Sequence, residues 1–139
     1  MRFIKLLSVL FTLIFAVSCT KNEVPVFNTN NKKKITDFTL EGTSIKATVY
    51  SKYDSLFVGY NPLYVTLTDT KSNAEIKNAN ISLLPIMDMM TMKHSCPTEQ
   101  PAYSAPEKAY SGAAAFIMAT MGNMGWTIEI TTVISGTTY

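Results

Sequence analysis

The sequence predicts an all-β fold, an antiparallel β-sandwich of immunoglobulin-like type. Apolar and polar residues alternate with a period of two in several short runs, and clusters of Gly, Pro, Asn and Asp separate those runs. No comparable stretch keeps a helical period, and several short strands divided by turns within about 100 residues suit two packed antiparallel sheets. The 139 residues are 47% hydrophobic and 16% charged, too apolar for a disordered tail and too short for two ordinary domains.

The first element is a targeting segment. Arg2 and Lys5 precede a nearly uncharged run, LLSVLFTLIFAVS, that ends at Cys19. A cationic start, about a dozen apolar residues and small residues before the break are the parts of a secretory signal peptide, and the run is short of the roughly 20 residues a spanning helix needs. The context Ala16-Val17-Ser18-Cys19 looks like a bacterial lipobox, with alanine where leucine is commoner. Residues 1–18 are therefore expected to be a lipoprotein signal peptide and Cys19 the acylated N-terminus, held stably because such a cysteine carries more than one acyl chain. That places the domain in the bacterial cell envelope or periplasm, tethered to a membrane on its extracytoplasmic side.

Residues 19–34, rich in Asn and Lys without an apolar period, read as the lipidated cysteine and a flexible tether, and 35–139 as the sandwich domain. In SIKATVY, Ile45, Ala47 and Val49 share a face; in PLYVTLTD, Leu63, Val65 and Leu67 do. Asn61-Pro62 reads as the turn before that second strand, and Asp69 to Asn73 as the turn after it. Ala79 to Leu84 is a further strand candidate. AYSGAAAFIMAT has three alanines that suit a helix, but its Tyr110, Gly112, Phe116 and Ile117 favour a strand. In GWTIEITTV, Trp126, Ile128 and Ile130 take one face, with Trp126 read as a core anchor.

Charge narrows the function classes. Removal of the leader takes Arg2 and Lys5 from the twelve basic residues, leaving ten against ten acidic ones, and Lys32 to Lys34 form the only basic cluster. Phosphate recognition needs a basic excess, so nucleic acid is not an expected partner. With Cys19 consumed by lipid, Cys96 is a lone thiol without the second cysteine of a Cys-x-x-Cys pair, and the single histidine has no evident nucleophile and acid beside it, so no enzyme activity is expected.

Seven of the eight methionines fall between positions 87 and 124. The first group, PIMDMMTMKHSCP, holds Met87, Met89, Met90 and Met92, then His94 and Cys96; the second, FIMATMGNMGW, holds Met118, Met121 and Met124. Thioether, imidazole and thiolate are the soft and borderline donors that select Cu(I), with Zn(II) a weaker match, and no acidic cluster suits calcium or magnesium. The expected metal ligands are His94, Cys96 and Met92, with Met90, Met121 and Met124 as further candidates. On an extended chain Met90, Met92, His94 and Cys96 share a face, adjacent members about 6.7 Å apart and Met92 to Cys96 about 13 Å, so a site needs either a bend in this loop or ligands from the second group. Methionine also fills irregular cores, and Met87, Met89 and Met118 read as packing.

The succession NPLYVTLTD, a strand into MDMMTMKHSCP, a Tyr-Ser-Gly strand and FIMATMGNMGWTIEI resembles the YtkA-like domain family of bacterial extracytoplasmic proteins, itself similar to FixH-type and copper-resistance immunoglobulin-like domains. The resemblance covers about residues 57 to 134: a methionine-rich turn with a histidine at Met87 to His94, Tyr110 with Gly112, and Met121 to Trp126 before the last strand. Lys-His-Ser-Cys-Pro resembles a subset of lipid-anchored members, while Gly122-Asn123-Met124 lengthens the usual Met-Gly-Trp. It implies a sandwich with a role in copper handling or oxidase assembly. Two readings stay open: a membrane-anchored module that binds Cu(I) or a related soft metal, and a metal-free module that offers its methionine loops to another envelope protein.

Overall fold

The computed structural model describes residues 27–122 and 124–139. The signal peptide, Cys19 and the first part of the tether lie outside the described residues. Among the described residues nine strands follow one another: β1 (Lys33–Thr39), β2 (Ile45–Ser51), β3 (Gly59–Asp69), β4 (Asn80–Asp88), β5 (Lys93–Ser95), β6 (Thr98–Ser104), β7 (Ala109–Phe116), β8 (Trp126–Ile134) and β9 (Thr137–Thr138). They form two antiparallel sheets, β1-β2-β3-β7-β6 and β5-β4-β8-β9, packed as a β-sandwich.

The alternation seen in the sequence sets the inner faces. Ala47 and Val49 of β2, Leu63, Val65 and Leu67 of β3, and Ile81, Leu83 and Met87 of β4 are buried, while Tyr64, Thr66 and Thr68 of β3 are only partly covered. β7 is a strand despite its alanines, with Tyr110, Ala114 and Phe116 in the core. Small residues are needed here because β6 bends over β7 at a bulge between Glu99 and Ala102: a Cβ on Gly112 would meet the Glu99 carbonyl oxygen at 2.6 Å. Within the bulge Gln100 reaches the other sheet, its Oε1 accepting from the Leu83 N–H at 2.8 Å and its Nε2 donating to the Leu83 carbonyl at 3.1 Å. A side-chain amide thus completes β4 where β5, only three residues long, no longer pairs with it.

Tyr110 fixes the crossing between sheets. Its hydroxyl donates to the Ile76 carbonyl and accepts from the Ala79 N–H, each at 2.9 Å, pinning the connection that carries the chain from β3 to β4.

Two boundaries differ from the sequence reading. Asn61 and Pro62 lie inside β3 rather than in a turn before it. Buried Asn61 supplies the turn-like bonds from its side chain, donating to the Phe57 and Gly59 carbonyls and accepting from the Phe57 N–H. The Pro62 carbonyl accepts from Lys52, one residue past the end of β2, so the N–H that proline lacks falls where the β2 ladder has already stopped. The second difference is at the tether: β1 begins at Lys33, and Phe27 stacks on Tyr50 at 4.7 Å between ring centroids, with Lys32 over the Tyr64 ring. Phe27 and Lys32 therefore cover the aromatic outer face of β2 and β3, while residues 28–31 stay exposed and Lys33 opens β1.

Candidate metal-binding cleft

The chain directions put the β2–β3 loop, the β4–β5 turn and the β7–β8 loop at one end of the sandwich. In the β4–β5 turn the Met89 N–H donates to the Met92 carbonyl and the Thr91 N–H to the Met89 carbonyl at 2.7 Å. That i to i+2 bond is a γ-turn centred on Met90, whose φ is +66°, and Asp88 steadies it by accepting the Met90 N–H at 2.9 Å. Lys93 lies 3.5 Å from the other Asp88 oxygen. With no neighbours to pack on, the Met90 side chain is 89% exposed.

The second methionine group is arranged by a tighter device. Met121 and Met124 exchange both backbone hydrogen bonds, at 3.0 and 2.9 Å, across a two-residue turn in which Gly122 takes φ +56°. Residues paired this way sit about 5.5 Å apart at Cα with side chains on the same face. Pairing of β4 with β8, which sets Met87 opposite Trp126, brings the two turns together. Asp88, Met90, Met121, Gly122 and Met124 line one open cleft of about 710 Å³.

The other expected ligands lie elsewhere. Met92 is exposed on the β4–β5 turn but outside the cleft lining. His94 is half-buried on β5, in register with buried Met87. Cys96 is buried in the core among Leu63, Leu83, Ala114 and Phe116. Burial pushes its thiol pKa up from the ordinary value, an effect the Ala115 N–H only partly offsets, so the soft thiolate is disfavoured. The row that an extended chain would make from Met90 to Cys96 is broken at both ends: the positive φ at Met90 turns the chain before β5 begins, and Cys96 is taken into the core. Among the described residues no three His, Cys, Asp or Glu side chains gather as a harder-donor site.

Met87 is buried and Met118 half-buried; the Met118 carbonyl accepts the Trp126 indole N–H at 3.0 Å while Trp126 packs on Phe116. Trp126 is thus a core anchor. Asp88 is the residue that sequence reasoning passed over; its signal was an aspartate two residues before a tight turn, where its carboxylate bonds the backbone. Comparison of the chain with family profiles, curated proteins and solved structures finds no match.

Proposed function

We propose that this domain binds Cu(I), or a related soft monovalent ion, through the thioethers of Met90, Met121 and Met124, and that it does so anchored by Cys19 on the extracytoplasmic side of a bacterial membrane. The observation that carries this reading is that Met90, Met121 and Met124, from two separate turns, line one solvent-open cleft. Three neutral sulfur donors favour a soft, low-charge ion over Zn(II), and the open cleft allows ligand exchange with a partner protein. The two packed sheets suit an immunoglobulin-like domain of the YtkA-like kind, and copper handling is the role that resemblance implies.

This ligand set differs from one built on His94 and Cys96, and pH separates the two. Thioethers do not titrate, whereas imidazole and thiol must lose a proton to coordinate. Affinity for Ag(I), an air-stable probe of the same softness, should therefore stay flat between about pH 5 and pH 8. The triple variant Met90→Leu, Met121→Leu, Met124→Leu should lose binding, while His94→Ala should retain it. Identical titration curves for the triple variant and the wild type would refute the cleft: binding retained in both points to His94 and Cys96 instead, and no binding in either leaves the metal-free interaction module.

A further inference from the structure

The sandwich is amphipathic along its length. At the end that carries the methionine turns, Phe57, Val58, Met90, Ile117 and Met121 are large apolar residues standing in solvent, with Val58 51%, Ile117 55% and Met121 58% exposed. They come from three loops that touch one another. Met118 to Thr120 line a pocket with Leu56 to Val58, and Met121, Gly122 and Met124 line the cleft with Asp88 and Met90, so the β7–β8 loop joins the other two into one surface. The turns of the opposite end are mostly polar, Glu41-Gly42-Thr43, Thr70 to Asn73, Glu107-Lys108 and Ser135-Gly136, with Ala105-Pro106 and, near the end of β1, Phe38 as apolar exceptions. A contiguous apolar surface at one end of a small domain marks a contact site.

Two features identify what it contacts. The first is charge. Lys33 pairs with Asp54 at 3.0 Å and Lys93 with Asp88 at 3.5 Å, while Lys52, over the Tyr53 ring at 5.8 Å, is offset in sign by Glu99, which accepts from the Tyr60 hydroxyl, so this end carries no net charge to attract an oppositely charged protein or anionic headgroups. Tyr53 and Tyr60 stand at its margin, amphipathic rings of the kind that settle at a membrane interface. The second is the length of chain between anchor and domain. Only seven residues separate Cys19 from Phe27, which spans at most about 28 Å when fully extended. Phe27 packs beside Tyr64 at the middle of β3, about 17 Å from Gly59 at the apolar end and as far from Asp69 at the polar end, so the tether lets either end meet the bilayer and the exposed apolar residues decide which one does. An anchor at Cys19 therefore keeps the apolar end within reach of the bilayer surface.

We propose that the apolar end formed by the β2–β3, β4–β5 and β7–β8 loops docks into the interfacial region of the lipid bilayer that holds the anchor, which sets the domain upright with the thioether cleft at the membrane surface. The docking rests on the Cys19 anchor of the preceding reading and not on metal binding. Apolar insertion with balanced charge makes it insensitive to anionic lipid.

The test uses the full chain in phosphatidylcholine vesicles, with and without phosphatidylglycerol. A nitrobenzoxadiazole probe is attached through Val58→Cys at the apolar end or Lys71→Cys at the polar end; both positions are exposed, and buried Cys96 takes no label. Brominated phosphatidylcholine should quench the probe at position 58 severalfold more than at position 71, with a blue-shifted emission at 58 only and no dependence on phosphatidylglycerol. Equal quenching at both positions, or none at 58 in protein that floats with the vesicles, overturns the docking alone, the latter pointing to a protein partner for this surface. Wild-type protein that fails to float, or whose Cys19 thiol takes the label, overturns the anchor and the docking together.

Discussion

Met90→Gly should make the domain more stable and a poorer metal binder, a pairing of signs that few substitutions produce. Met90 sits at φ +66° in a γ-turn, a conformation that costs a side-chain-bearing residue about 1–3 kcal/mol and glycine almost nothing. Glycine gives back about 0.4–1 kcal/mol through the greater freedom of the unfolded chain. Because the Met90 side chain is 89% exposed, no packing is lost, and the net gain is about 1 kcal/mol, a rise in Tm of about 4 °C for a domain of this size. Loss of one thioether of three should weaken Ag(I) binding by about tenfold or more, equivalent to about 1.4 kcal/mol. Met90→Leu is the matched control: it keeps the strain and removes the sulfur, so its Tm should stay at the wild-type value while its affinity falls with that of the glycine variant. Thermal unfolding of the metal-free protein by circular dichroism and an Ag(I) competition titration read the two effects separately. A lower Tm for Met90→Gly would refute the strain assignment, and wild-type affinity in both variants would refute Met90 as a donor.

Tyr110→Phe removes the hydroxyl that serves both the Ile76 carbonyl and the Ala79 N–H and leaves two partly buried backbone groups unpaired; a loss of about 2 kcal/mol, seen as a Tm about 8 °C lower, is expected, and an unchanged Tm would contradict it. Gly112→Ala drives a Cβ against the Glu99 carbonyl and the Pro101 backbone, so β6 must shift; a destabilisation of about 1–3 kcal/mol is expected in denaturant unfolding, whereas a tolerated alanine would show the bulge to be soft. Asp37, bonded by Lys34 and Lys46, has its carboxyl lowered from 3.8 to about 2. Its folded-state pKa is depressed, so the pairing is complete above the unfolded value and is lost as pH falls through about 2; a carboxyl NMR titration with its midpoint near 3.8 would contradict this.

The strands were legible wherever local pattern and packing agree. Ala47 with Val49, and Leu63, Val65 and Leu67, alternate in the sequence and occupy the inner face in the structure. The alanines of β7 were legible as strand only through their neighbours, because what makes alanine and glycine fit there is the approach of β6, a contact between segments a dozen residues apart. Asn61-Pro62 misled for the opposite reason: the pair has the composition of a turn, but its special chemistry serves the end of the β2 ladder from inside β3. Cys96 shows the limit most clearly. Its neighbours Lys93, Ser95 and Thr98 are polar and suggest exposure, yet the thiol is buried by Leu63, Leu83, Ala114 and Phe116, residues of three other strands whose register no local window reveals. The methionine groups were visible as composition, whereas their division into a core set and a cleft set depends on two turn geometries.

Those geometries explain why the candidate donors sit on turns at all. A side chain in the core is held by its neighbours, but exposed Met90 and Met121 have few and Met124 is only half-buried, so their positions come largely from the backbone beneath them. In one turn Gly122 takes the positive φ and leaves the paired positions on either side to Met121 and Met124; in the other Met90 itself takes the positive φ, held there by the carboxylate of Asp88. The strain of placing the donors is thus confined to two short turns outside the sheets. Changes among Met90, Met121 and Met124 should accordingly alter ligand affinity without disturbing the inner faces of β3, β4, β7 and β8, which is the separation of binding from folding that the paired Met90→Gly and Met90→Leu variants measure.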